Sequence, residues 1–318
     1  MGREAAAATG RGGARAPVEG PAPRSLVATF DLEDWFHAEN VRASLPTSDW
    51  DSLEPRLERN AHALLDLLAE VGGRATFFVL GWVARRYPSV VARIVAEGHE
   101  VASHTDLHRR LDLLPPAEVV RDLARARDSL EQLTGTPVLG VRAPNFSISD
   151  EVLDLLAEAG YRYDSSYFPF AAHDRYGRIS APVERSAPIV EVRPGLLELP
   201  MSCLPLGPVS APWSGGAYFR LIPYPVFRRG VAAVLRRSSW FMFYLHPWEL
   251  DPEEVPPPGM PRSLRVRAYA GRARVARDLR RLLREFGCSR VDEALRARGY
   301  LPPAARAAGP LTGRRPGT

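Results

Sequence analysis

At 318 residues, with 45% hydrophobic and 25% charged side chains, the chain is long enough to bury a full core and is ordinary in composition for a globular protein. Its net charge of +5 is carried entirely by arginine, because the sequence holds no lysine, and acids are interleaved with those arginines, as in Arg121-Asp122-Leu123-Ala124-Arg125. This pattern describes solvated helix faces and argues against a nucleic-acid partner, and no run approaches the roughly 18 apolar residues of a transmembrane segment.

Cys203 and Cys288 are the only cysteines, far apart and outside any CxxC or Cys/His cluster, so a reducing compartment is expected. Met1 to Arg24 has no apolar run, which predicts no export signal and a disordered tail over 1–24. A second disordered tail is expected over 302–318, leaving one domain over 25–301.

Within that domain the first element is a β-rich run, Leu26 to Phe30, ending at the acids Asp31, Glu33 and Asp34. Leu57, Ala61, Leu64, Leu65 and Leu68 form a helical stripe within Leu53 to Val71, stopped by Gly72-Gly73. Ala75 to Leu80 is predicted as a buried strand, Val83 to Glu97 as a helix, and His99 to Ser103 as the strand before His104 and His108. A helix over Ala117 to Leu133, a strand before Arg142, a helix over Asp150 to Ala159 and a short strand before Asp164 follow. Residues 167–225 are rich in Pro, Gly and aromatics and predict loops and short strands, including a hairpin around Pro194-Gly195. Trp240 to Leu245 returns as a strand before His246, and 250–301 is a C-terminal extension with a closing helix over Arg272 to Phe286. Alternation of strand and helix with short connections predicts an α/β fold with a parallel sheet or barrel.

Polar residues that follow successive parallel strands meet at one mouth. Taken singly, none of them is decisive. His104 and His108 stand at metal-ligand spacing but lack the Glu of an HExxH motif; Asp31 to Asp34 alone is an ordinary turn or cap; Arg142 and His246 alone suit structural roles. Together, carboxylates, an imidazole pair, an arginine and a last histidine point to metal-assisted hydrolysis.

The order Thr29-Phe30-Asp31, His104-Thr105-Asp106-Leu107-His108, Arg142-Ala143-Pro144-Asn145-Phe146, Asp164-Ser165-Ser166 and Leu245-His246 resembles the NodB-homology polysaccharide deacetylases, carbohydrate esterase family 4. Ala75 to Gly81 and Glu97 to His104 resemble the same family, so the likeness runs from about Leu26 to His246. Ser214 to Arg220 and His246 to Glu249 resemble a bacterial subgroup found with exopolysaccharide and exosortase loci. The resemblance implies a distorted (β/α) barrel of the polysaccharide deacetylase type with a loop-rich insertion.

It also implies roles. His104 and His108 would hold a divalent metal, zinc first and cobalt, nickel or manganese as alternatives, with one carboxylate from the first cluster. Glu33, two positions after the base, and Asp34 both remain candidates for that ligand. Asp31 would be the general base, Arg142 its orienting partner, His246 the general acid and Asp164 the group that keeps it protonated. Pro144, Asn145, Phe146 and Tyr167 would touch substrate, with Tyr167 as an aromatic wall. The implied reaction is removal of N-acetyl groups from amino sugars of a polysaccharide or its precursor. Hydrolysis of a small amide or ureide, and a glycan-binding pseudoenzyme, are the alternatives. An N-acetylated glycan is the implied partner and the expected location is cytoplasmic, peripheral at the inner membrane face. Neither the sugar nor the oligomeric state is legible.

Overall fold

The computed structural model describes residues 24–303 apart from 39–40, 42–44, 171–175, 184–187, 208, 255 and 257–259, so nearly all of both expected tails lies outside the described residues. Strand β1 (Ser25–Leu32) is followed by α1 (Leu57–Val71), β2 (Thr76–Val79), α2 (Gly81–Arg86), α3 (Pro88–Ala96) and β3 (Glu100–Ser103). Next come α4 (Pro116–Thr134), β4 (Gly140–Val141), α5 (Asp150–Glu158), β5 (Tyr163–Asp164) and a hairpin of β6 (Val190–Arg193) and β7 (Leu196–Glu198). A second hairpin, β8 (Cys203–Leu206) and β9 (Val209–Pro212), leads to α6 (Ala217–Leu221), α7 (Tyr224–Ser238) and β10 (Trp240–Leu245). The chain ends through α8 (Arg262–Tyr269), α9 (Val275–Phe286) and α10 (Val291–Ala297).

The main sheet has the order β10-β1-β2-β3-β4-β5-β7-β6, parallel throughout except for β6 against β7. It curls into a half-barrel of mixed α/β type; its edges β10 and β6 do not pair among the described residues, so the expected barrel is open.

Strand alternation divides the core in two. Leu26, Ala28, Phe30 and Leu32 of β1 join Phe241, Phe243 and Leu245 of β10 in the cluster shared with the helices. Val27 of β1, Phe78 of β2, Ala102 of β3 and Met242 and Tyr244 of β10 belong to a second cluster, inside the curl. Residues in phase with this second set point towards the site.

One expected helix is two. The run from Val83 to Glu97 breaks at Tyr87 (φ −128°, ψ 58°), because Pro88 disfavours helical backbone at the residue before it and lacks an N–H to continue the ladder. Proline is then well placed as the first residue of α3. No helix among the described residues is long and apolar enough to cross a membrane.

Candidate active site

Asp31 lies near the end of β1, in phase with Val27 and Thr29, and so faces the interior of the curl. Arg142, directly after β4, is fully buried and donates from Nη1 to Asp31 Oδ1 at 2.6 Å and to Thr29 Oγ1 at 2.9 Å. Its Nε and Nη2 donate to the carbonyl and hydroxyl of Ser165, both at 3.0 Å, and the guanidinium lies 4.1 Å from the Phe78 ring centroid. Held on all sides, Arg142 fixes one oxygen of Asp31 and leaves Oδ2 towards the cleft, 3.9 Å from His246 Nε2.

Glu33 shares the parity of Asp31 and is buried beside the two histidines. Its Oε2 is 2.8 Å from His108 Nε2, and its Oε1 accepts from Trp248 Nε1 at 3.2 Å. One atom each from Glu33, His104 and His108 lies within 4.8 Å of the others. His104 Nδ1 donates to the Arg142 carbonyl at 2.8 Å, which fixes the tautomer and leaves Nε2 as a lone-pair donor. Burial lowers the His104 pKa to about 4, keeping the imidazole neutral. Two imidazoles and a carboxylate converging in a buried site fit a divalent metal with open positions.

The imidazole pair sits on a compact loop rather than a helix. Asp106 anchors this loop, its carboxylate 2.7 Å from Arg85 Nη1 and its N–H donating to Asp122 Oδ1 at 2.7 Å. Thr105 (φ 70°) and His108 (φ 52°), with Asn145 and Phe146 (both φ 58°), are four of the five non-glycine residues with left-handed backbone among the described residues. Strain is thus concentrated in the two loops that carry the histidines and the cleft wall, as expected of a functional site.

His246 follows β10 in phase with Tyr244. Its ring stacks on Trp248 at 4.8 Å, and Nδ1 donates to Glu249 Oε1 at 2.8 Å. Burial alone would depress the His246 pKa, but the carboxylates of Glu33, Glu249 and Asp31 outweigh it and raise the value to about 9. Burial likewise opposes ionisation of Glu249, yet the charges of Arg220 and His246 hold it at about 2. Arg220 Nε donates to Glu249 Oε2, and Nη1 and Nη2 reach the Ala270 and Arg267 carbonyls at 2.9 and 2.7 Å.

Two expected assignments are corrected by parity. Asp34 points away from the histidines: it caps the turn at Trp35–His37 and accepts from the N–H groups of Arg56 (2.8 Å) and Leu57 (3.0 Å). Glu33 is therefore the acidic member of the donor set. Asp164 does not reach His246, because its register partner is Val141, on the helix-side core, whereas Tyr163 pairs with Gly140 on the interior face. Its Oδ1 accepts from Ser166 Oγ at 2.5 Å, and Glu249 occupies the place beside His246.

Of the expected substrate contacts, Asn145 and Phe146 line the cleft. Pro144 instead anchors its own turn, its carbonyl accepting from Ser147 Oγ at 2.7 Å. Tyr167 packs against the helix-side core, and the aromatic wall comes from Tyr176, Tyr218, Tyr244 and Trp248. Glu249 was legible through its spacing: an acid three residues after His246 forms a capping box with it.

Asp164 is paired across the sheet with Glu198, also fully buried. Burial first, and then the Asp164 charge, raises the Glu198 pKa well above the carboxylate range. Asp164 Oδ2 and Glu198 Oε2 have no other donor among the described residues, so one shared proton satisfies both. Glu198→Gln keeps an oxygen for the Tyr167 N–H, which Glu198 Oε1 accepts at 2.9 Å, and supplies a permanent N–H to Asp164. An acid with a raised folded pKa stabilises fully below its unfolded value and loses that contribution as pH rises. Thermal unfolding between about pH 5 and pH 9 should thus show wild-type stability falling more steeply than that of Glu198→Gln. A steeper fall in the variant contradicts the shared proton.

Comparison with known proteins agrees with this geometry. Residues 23–163 match the family model of polysaccharide deacetylases. That match spans less than half of the chain. A second model, a domain of unknown function (DUF3473), matches residues 165–296, so His246, Glu249 and Arg220 lie outside the segment matched as deacetylase. The chain is similar to a chitooligosaccharide deacetylase of Sinorhizobium fredii, 40% identical over 98 residues, covering 30% of this chain and 46% of the relative. It is also similar to the peptidoglycan-N-acetylmuramic acid deacetylase PdaC of Bacillus subtilis, 36% identical over 89 residues, covering 28% of this chain and 19% of the relative. The chain thus spans less than half the length of these relatives. A candidate polysaccharide deacetylase from Mycobacterium smegmatis has the same fold, with TM-score 0.56 at 22% identity, covering 85% of this chain and 87% of the other.

Proposed function

We propose that the protein is a metal-dependent hydrolase that removes N-acetyl groups from amino sugars of a glycan or its precursor. The observation that carries this is the placement of Asp31 Oδ2 and His246 Nε2 3.9 Å apart, beside the donor set Glu33, His104 and His108. Zinc suits two imidazoles and one carboxylate, with cobalt, nickel or manganese as substitutes. When bound, the metal supplies a Lewis acid for the acetyl carbonyl and makes a water nucleophilic near neutral pH.

Asp31 accepts the proton of the attacking water on Oδ2, while Arg142 holds Oδ1 and with it the carboxylate plane. His246, whose Nδ1 is held by Glu249, delivers a proton from Nε2 to the departing amine. Glu249 holds Nδ1 and is itself held by Arg220, so the ring keeps its aim through the reaction. Asn145, Phe146 and the aromatic wall close around the sugar.

Full-length protein reconstituted with zinc should release acetate from one or more members of a panel of N-acetylated oligosaccharides and polymers. Absence of acetate from every glycan, with hydrolysis of a small amide or ureide instead, overturns the reading. Cys203 and Cys288 form no disulfide with each other and suit a reducing cytoplasmic location, which recovery from the cytosolic or inner-membrane fraction checks.

A further inference from the structure

Among the described residues, the arginines that line the cleft and His246 are committed to carboxylates, with one exception. Arg142 is bound to Asp31, Arg220 to Glu249, and His246 to Glu249 and Glu33. Arg267, from α8, lines the same cleft and has no carboxylate partner among the described residues. Its position is fixed: its carbonyl accepts from Arg220 Nη2 at 2.7 Å, and the next residue, Ala268, is buried. On a helix of 3.6 residues per turn, Arg267 therefore sits on the flank between the buried side and solvent.

Charge in the cleft makes this unpaired cation informative. Arg142 and Arg220, the other two arginines of the cleft, each hold a carboxylate, Asp31 and Glu249, whereas Arg267 faces the same space with none among the described residues. Nothing nearby along the chain compensates it. From Val255 to Arg277 the sequence holds six arginines and no acid. Arg272 pairs with Glu254, and Arg274 and Arg277 pair with Asp278. Arg262 and Arg265, exposed on α8, have no carboxylate partner among the described residues and extend the positive field from the rim. A guanidinium half withdrawn from water is best satisfied by a carboxylate or phosphate, with which its fork can bond in bidentate fashion.

We propose that Arg267 reads an anionic substituent, a carboxylate or a phosphate, on the glycan close to the N-acetyl group that is removed. The inference rests on the deacetylase reading and narrows its substrate class to acidic glycans. Arg267 is a specificity-determining residue, and Arg262 and Arg265 draw the acidic chain towards the cleft.

The test compares three N-acetylglucosamine oligomers of equal length: one neutral, one bearing a uronic carboxylate and one bearing a phosphate. Zinc-reconstituted wild type and Arg267→Gln are assayed for acetate release, and oligomer binding to the metal-free full chain is measured by calorimetry. Wild type should prefer an anionic oligomer, and Arg267→Gln should lower the anionic-to-neutral ratio of kcat/KM about tenfold, chiefly through KM. The calorimetric preference should fall alongside, and the arm that shows it identifies the anion. Equal turnover of all three oligomers by wild type overturns the proposal, as does a variant whose ratio is unchanged or whose losses are equal on all three. Failure of wild type to release acetate from any oligomer counts against the deacetylase reading instead, and the binding preference then still decides the role of Arg267.

Discussion

Alanine in place of Glu33, His104 or His108 is expected to remove bound metal and hydrolysis together, whereas Asp34→Ala should keep both. Each of the three residues supplies one atom of a set within 4.8 Å, and two remaining ligands do not make a tight buried site. Replacing Glu33 carries a further consequence, because its Oε1 also accepts from Trp248 and stands 3.3 Å from His246 Nε2. Asp34 faces the other way and caps a turn through bonds to the N–H groups of Trp35, Arg56 and Leu57. Its loss should therefore appear as about 0.5–2 kcal/mol of stability rather than as lost metal. Metal content per chain, acetate release and thermal unfolding of the four variants give the answer. Full metal in Glu33→Ala with loss in Asp34→Ala would reverse the assignment.

The order of the strands and the polar residues at their ends could be read from the sequence, because a buried parallel strand leaves an uninterrupted apolar run and a polar residue after it is conspicuous. The parity of each side chain was harder to read. In Asp31-Leu32-Glu33-Asp34 the period of two separates Glu33 from Asp34, yet a turn at the strand end can shift the phase, so the residues alone left both open. At Asp164 the strand is only Tyr163–Asp164, too short to show alternation, and register with Gly140 and Val141 is what turns the carboxylate away from His246. Glu249 stands three residues after His246, and the cap of the turn and the histidine's partner are the same atom, Oε1. Tyr176 and Tyr218 lie where proline, glycine and aromatics replace any period, and only the folded chain brings them to the cleft.

Asp31→Asn should cut turnover by roughly 10²–10⁴-fold, the usual worth of a proton-transfer group, while metal stays bound. The substitution keeps an oxygen for the Arg142 Nη1 donor and removes the lone pairs on the Oδ2 side that would take a proton from water. It also leaves the Arg142 charge, fully buried, without its counter-charge, which carries a stability cost. Four of the five guanidinium hydrogen bonds recorded for Arg142 go to Thr29, Ser165 and Met201 and survive, so the fold should persist with a lowered Tm. Metal content and Tm measured beside the rate therefore separate a missing base from a damaged site. His246→Ala provides the counterpart: its loss should be comparable, since the departing amine then lacks its proton donor. Should Asp31→Asn lose its metal while His246→Ala stays active, Asp31 is a ligand and the acid lies elsewhere, and the division of labour between the neighbouring carboxyl ends of β1 and β10 has to be redrawn.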